Sequence, residues 1–113
     1  MTSEINKLKF TEFLIKRKHL SERVAKNYVS RCCRLERELS INLERETENL
    51  ESYQKLLIKI ATYVDKFATS TANGYSMGGT FRAAVKKYAE FNVGLKSKNY
   101  PTGYYFGKKF ITK

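Results

Sequence analysis

The stretch Tyr53-Gln54-Lys55-Leu56-Leu57-Ile58-Lys59-Ile60-Ala61-Thr62-Tyr63-Val64-Asp65-Lys66-Phe67 decides the fold class. Tyr53, Leu56, Leu57, Ile60, Val64 and Phe67 recur at steps of three and four, the spacing of one helical face. No strand period of two runs through it. A helix over about 48–68 follows, amphipathic and in need of partners.

Working outward, the same spacing continues on both sides. Toward the N-terminus, a helix over about 22–39 aligns Val24, Tyr28, Cys32, Leu35 and Leu39, with Ser21 as N-cap and Glu22 at its positive end. A first helix over about 3–18 turns Leu8, Phe10, Phe13, Leu14 and Ile15 inward, and His19-Leu20-Ser21 ends it. Residues 40–48 read as a polar connector. After the central helix, Thr69 to Tyr75 is rich in turn formers and reads as a loop. Ser76 or Thr80 then caps a fourth helix over about 77–92 that buries Phe81, Ala84, Val85, Tyr88 and Phe91. The expected fold is all-α, a four-helix bundle over 1–95.

The tail, 96–113, is different. It mixes Tyr100, Tyr104, Tyr105, Phe106 and Phe110 with five lysines, around turn signals at Pro101, Gly103 and Gly107. A short hairpin, an open arm and a peptide docked on a partner all fit that pattern.

At 113 residues the chain suits one domain. With 42% hydrophobic residues it can fill a core, which argues against wholesale disorder. Its apolar runs are too short to span a membrane, and its first residues carry no apolar secretory segment. The two cysteines, Cys32 and Cys33, are neighbours and cannot build a disulfide framework. The expected compartment is the cytoplasm.

Charge is the strongest functional signal. Twenty-two Lys and Arg against eleven acids give a net charge of +11. Residues 7–34 carry +7, residues 35–65 carry −3 and residues 66–113 carry +8. Solubility alone gives no reason to sort charge in this way. Two basic blocks flanking an acidic middle point to a polyanion partner, nucleic acid above all.

The second helix localises that charge. Arg23, Lys26, Asn27, Ser30, Arg31 and Arg34 follow one another at steps of three, one, three, one and three, so they share one face. Four are cationic and none is acidic. Such side chains clasp phosphates and pair with guanine and adenine edges. The fourth helix repeats the theme with Arg82, Lys86 and Lys87. Gly78-Gly79, expected near its start, could let a phosphate approach exposed backbone N–H groups, although no phosphate-loop motif is present. In the tail, Tyr104, Tyr105 and Phe106 among lysines could stack on single-stranded bases, or pack on the bundle.

Catalysis finds little support. His19 is the single histidine, at a helix end where capping suits it. Glu44, Glu46, Glu48 and Glu51 read as connector and first helical turn rather than a metal cluster. Cys32 and Cys33 read as structural thiols. Neither cofactor nor metal is expected.

The segments Phe10-Thr11-Glu12-Phe13-Leu14 and Leu20-Ser21-Glu22-Arg23-Val24-Ala25-Lys26-Asn27-Tyr28 resemble the opening of the SAM-like core-binding domain of tyrosine recombinases, the phage integrases. Thr80-Phe81-Arg82-Ala83-Ala84-Val85-Lys86-Lys87-Tyr88-Ala89-Glu90-Phe91 is similar to that domain's last helix. The resemblance covers about residues 8–92, mostly at core positions of a small bundle. It implies a domain that clamps one side of duplex DNA with its second and fourth helices. Carried over, the contacts are Arg23, Lys26, Asn27, Arg31 and Arg34, with Arg82, Lys86 and Lys87. The family's catalytic domain, with its Arg, His and nucleophilic Tyr, does not follow in the 21 residues after Asn92.

The expectation is therefore a non-catalytic protein that grips double-stranded DNA, from a phage or mobile element. Two rivals stand beside it. One is an accessory or inhibitory subunit of a larger nucleic-acid enzyme. The other is a single-strand binder using the tail aromatics.

Overall fold

A computed structural model describes residues 4–101, 104–106 and 109–111 of the chain. The elements run α1 (Glu4–Lys16), α2 (Glu22–Leu39), α3 (Leu43–Glu46), α4 (Leu50–Asp65) and α5 (Thr71–Val93). A 3-10 helix (Gly94–Asn99) follows, and then two short strands, β1 (Tyr104–Phe106) and β2 (Lys109–Ile111). The body is a helical bundle.

Local chemistry sets the boundaries. Ser21 caps α2, its hydroxyl accepting the Val24 N–H at 3.2 Å. His19 and Ser40 take left-handed backbone, with φ of 56° and 53°, and turn the chain out of α1 and α2. The Ser40 N–H closes back on the Glu36 carbonyl. Asn49 caps α4 by accepting the Ser52 N–H at 2.9 Å.

The expected polar connector 40–48 holds a helical turn of its own and part of the interior. Asn42 accepts the N–H groups of Glu44 and Arg45, which starts α3. The buried Glu36 carboxylate accepts the Leu43 N–H at 3.0 Å. Thr47 is fully buried. Its carbonyl accepts the Tyr100 hydroxyl at 2.8 Å, and its own hydroxyl receives the Asn92 side-chain amide at 3.0 Å. Lys96 adds a bond to the Glu48 carbonyl. Polar sequence here is satisfied internally, which burial requires.

The expected loop at 69–75 is a second correction. Helix α5 begins at Thr71, not near residue 77. Ser70, rather than Ser76 or Thr80, is its cap, accepting the Asn73 N–H at 3.0 Å. Asn73 in turn accepts the Thr69 N–H at 3.0 Å. Gly74 and Gly78 are both buried, four residues apart on one face of α5. Capping and burial thus outweigh the weak helix propensity of Asn and Gly. Gly78 and Gly79 lie inside the helix, not at its start, so their backbone N–H groups belong to the helical ladder.

The core draws Phe10 and Leu14 from α1, Cys32 and Leu35 from α2, and Leu56, Leu57, Ile60 and Val64 from α4. From α5 it takes Phe81, Val85 and Tyr88. Aromatic rings join α1 to α5: Phe10 meets Tyr88 edge-on at 5.1 Å and Phe91 at 5.4 Å. Three residues expected inside are outside. Leu8 is 63% exposed, Val24 38% and Phe67 53%. On α2 the buried line passes through Ala25, whose small side chain lets its neighbours approach, so Val24 turns to solvent. Phe67 lies beyond the end of α4 and rests edge-on against Tyr63.

The strands β1 and β2 pair antiparallel, Tyr104 opposite Ile111, Tyr105 opposite Phe110 and Phe106 opposite Lys109. The described part of the tail is a short hairpin, and β1 runs beside α4.

Candidate nucleic-acid interface

Helix α2 presents its polar stripe to solvent because the opposite face is committed to the core. Ala25, Cys32, Leu35 and Glu36 are buried, while Arg23, Lys26, Asn27, Ser30 and Arg34 are exposed and Arg31 is half-buried. The six expected residues therefore share one face of one helix. At the N-terminal end of the stripe, Arg23, Lys26 and Asn27 line a surface hollow of about 520 Å³ with Glu22.

Two of the cations have protein partners, of unequal strength. Lys26 pairs with Glu22 at 2.9 Å, with both side chains about 70% exposed. That contact lowers the Glu22 pKa, through the hydrogen bond first and the lysine charge second. A solvated pair of this kind contributes little and is readily exchanged for a phosphate. Arg34 is held more firmly. Its Nε donates to the Tyr63 hydroxyl at 3.0 Å, and its guanidinium lies over the rings of Tyr63 and Phe81 at 5.8 and 5.7 Å. Arg34 is thus oriented by α4 and α5 while the residue remains exposed.

The basic residues of α5 are placed differently. Arg82 is 8% exposed, with its guanidinium 4.8 Å from the Tyr75 ring centroid. Lys86 donates to the carbonyls of Ser97 and Tyr100 and lies 5.7 Å from the Tyr100 ring centroid. Burial lowers its pKa. Lys87 meets Glu90 at 3.4 Å, and Lys18 meets the same carboxylate at 3.1 Å. Each of the three expected α5 cations is therefore engaged by neighbours within the fold. Helical spacing puts these residues on the helix correctly but does not show which neighbours arrive from residues 94–100.

The other expected chemistry is also placed. Glu46 pairs with Lys59 at 2.7 Å, and Glu44 accepts the Asn6 side-chain amide at 2.8 Å. Among the described residues no group of His, Cys, Asp and Glu is arranged to hold a metal ion. Cys32 is buried, its thiol donating to the Ala84 carbonyl at 3.6 Å, and burial pushes its pKa well up. Cys33 is half-buried, and neither cysteine is in a disulfide. His19 is exposed and ends α1 through its backbone. The side chains of Tyr104, Tyr105 and Phe106 lie outside the described residues, so the expected stacking surface rests on their backbone strand alone.

One cluster escaped the sequence reading. Arg17 and Lys18, at the end of α1, share a cleft with Lys86 and Lys98. The run Lys16-Arg17-Lys18 was the visible signal. Its tertiary neighbours were not visible, because they stand about 70 to 80 residues away in sequence.

The fold thus defines a small helical bundle with a solvent-facing cationic stripe on α2. Comparison with protein-family models, curated proteins and solved structures finds no match for the chain. Among the described residues no helix is long and apolar enough to cross a membrane.

Proposed function

We propose that the chain is a non-catalytic DNA-binding module that grips duplex DNA through the exposed face of α2. The observation that carries the reading is that stripe. Arg23, Lys26, Asn27, Ser30, Arg31 and Arg34 share one helical face, with Glu22 beside them engaged by Lys26. A straight helix of 18 residues, about 27 Å long, can lie across or along a groove and meet several phosphates at once. Asn27 and Ser30, between the cations, are the residues suited to touch base edges. The net charge of +11 supplies the long-range attraction.

The likeness of residues 8–92 to the SAM-like core-binding domain of phage integrases supports the same reading and suggests a mobile-element origin. It rests on core positions, and fold likeness by itself does not assign function. In this reading Arg82, Lys86 and Lys87 support the bundle, and the DNA contacts concentrate on α2.

The test is fluorescence anisotropy of a labelled duplex titrated with protein at several salt concentrations. Duplex binding with a log–log salt slope of about −4 or steeper fits several phosphates neutralised together. Loss of that binding in the Arg23→Ala/Lys26→Ala/Arg31→Ala variant fits the α2 site. No duplex binding near physiological salt would overturn the reading and turn the charge toward an acidic protein partner. Tighter single-strand binding, lost when residues 102–113 are removed, would move the site to the tail.

A further inference from the structure

The cleft at the end of α1 lies apart from the α2 stripe and has the makings of a small-ligand site. It measures about 820 Å³, within the range of about 300–1,000 Å³ typical of such sites. Its walls come from the C-terminal end of α1, from α5, and from the 3-10 helix with the residues just after it.

The cleft is cationic. Among the described residues, Arg17, Lys18, Lys86 and Lys98 line it, against the single acid Glu90. Glu90 is already engaged, by Lys18 at 3.1 Å and by Lys87 at 3.4 Å. Arg17 and Lys98 are exposed. Lys86 is fixed in place by two backbone carbonyls, those of Ser97 and Tyr100. Carbonyls orient an ammonium but do not neutralise it, and one of its three N–H donors remains. Arg17, Lys86 and Lys98 thus converge from three separate parts of the chain, and the Glu90 carboxylate that acts on Lys86 is shared with Lys18 and Lys87, so positive charge is in excess on the walls. Arg17 adds a planar fork suited to two phosphate oxygens.

The cleft is also apolar in part. Leu95 is 78% exposed, the most exposed of the large hydrophobic side chains among the described residues, and it stands on the cleft wall with Phe13 and Pro101. Gly94, at φ +60°, makes the turn that carries Leu95 out of the bundle. A free inorganic anion would leave that surface wet. An anion carrying a flat apolar body would cover it.

The geometry points to a nucleoside-phosphate binding site in this cleft, with the phosphates on Arg17, Lys86 and Lys98 and the base against Leu95 and Phe13. The site is independent of the DNA reading.

The test uses ADP and inorganic pyrophosphate as probes, followed by amide chemical shifts and by calorimetry. ADP is expected to bind saturably, with shifts concentrated at Arg17, Lys86, Leu95 and Lys98. Pyrophosphate is expected to bind the same residues at least about tenfold more weakly, because it makes no apolar contact. Arg17→Ala/Lys98→Ala should weaken both probes by about tenfold or more. Leu95→Ser should weaken ADP several-fold and leave pyrophosphate unchanged. All three substitutions are at exposed positions, and unchanged far-UV dichroism checks that the bundle stays intact. Equal affinity for the two probes would overturn the nucleoside assignment. Absence of saturable ADP binding up to millimolar concentration, or shifts spread over every basic face, would overturn the site.

Discussion

Helices α2 and α5 carry the same kinds of charged residue and use them in opposite ways. On α2, Arg23 and Lys26 stand in water, and Lys26 holds an exchangeable surface pair. On α5, Arg82 is buried beside Tyr75, Lys86 ties down the carbonyls of Ser97 and Tyr100, and Lys87 meets Glu90. The difference comes from what packs around each helix. Helix α2 buries one face, whereas α5 meets α2, α4, α1 and the 3-10 helix, leaving it little free surface. A cation on a helix packed from several sides becomes part of the structure, at a desolvation cost that only bound partners offset.

Several variants would break or sharpen that contrast. The largest effect is expected for the α2 triple, Arg23→Ala/Lys26→Ala/Arg31→Ala. Duplex affinity near 0.1 M salt should fall on the order of a hundredfold, and the salt slope should become shallower by about 2.7. Stability should hardly change, which a urea melt would verify. An unchanged slope would erase the distinction between the two helices.

Arg82→Ala should do the reverse. Losing a buried cation over a ring, together with its packed stem, should cost about 2 kcal/mol in a denaturant titration. Duplex affinity of the folded protein should stay within about twofold, as for a residue making no phosphate contact. A drop in affinity without a drop in stability would place Arg82 in the interface.

Lys86→Met should cost about 1.5 kcal/mol, in line with a hydrogen bond to a charged donor. The loss should be local, read as faster amide exchange around Tyr100 and the 3-10 helix. Protection unchanged there would show that the two carbonyl contacts do not hold that segment.

A pH series tests the buried side of the contrast. Burial raises the pKa of Tyr53 and Tyr88 well above the ordinary value of 10.0. Their neutral forms favour folding, so this contribution is fully present below pH 10 and lost as pH rises further. Burial of Cys32 acts with the same sign from pH 9 upward. Burial lowers the pKa of Lys86, so near its titration stability should rise slightly with pH, an opposing and smaller effect. The share of tyrosinate absorbance that Tyr53→Phe and Tyr88→Phe remove should therefore appear together with loss of helical dichroism. That share rising first, with dichroism intact, would show these two phenols open to solvent.

The smallest effect is expected for Glu22→Gln. Loss of an exposed pair should change stability by less than about 0.5 kcal/mol. Duplex affinity should rise a little, because Lys26 is released and a negative charge leaves the face.

Much of this was readable from residue spacing. The α-helical class followed from the three-four recurrence in Tyr53 to Val64, because a helix must bury one face and shows it in sequence. The limits of α2 followed from Ser21 and from the end of the apolar stripe at Leu39. The stripe on α2 was legible for the same reason, since one face apolar leaves the other polar.

The errors fall where a local signal competed with tertiary contacts. Thr71-Ala72-Asn73-Gly74 has the composition of a loop, yet it forms the first turn of α5, because Ser70 caps it and Gly74 is buried. The polar run through Thr47 looked like a connector and proved to be part of the interior, since Tyr100 and Asn92 satisfy its backbone and hydroxyl.

The sequence by itself determined that the chain is helical, strongly basic, and cationic along one face of its second helix. Those properties depend on spacing and net charge, which are written along the chain. The tertiary structure alone decided which cations remain in water. Arg23 and Lys26 do; Arg82 does not, because the fold closes over it. It also brought Arg17, Lys86 and Lys98 to one cleft. Convergence of that kind depends on how the helices cross, and no local pattern encodes it.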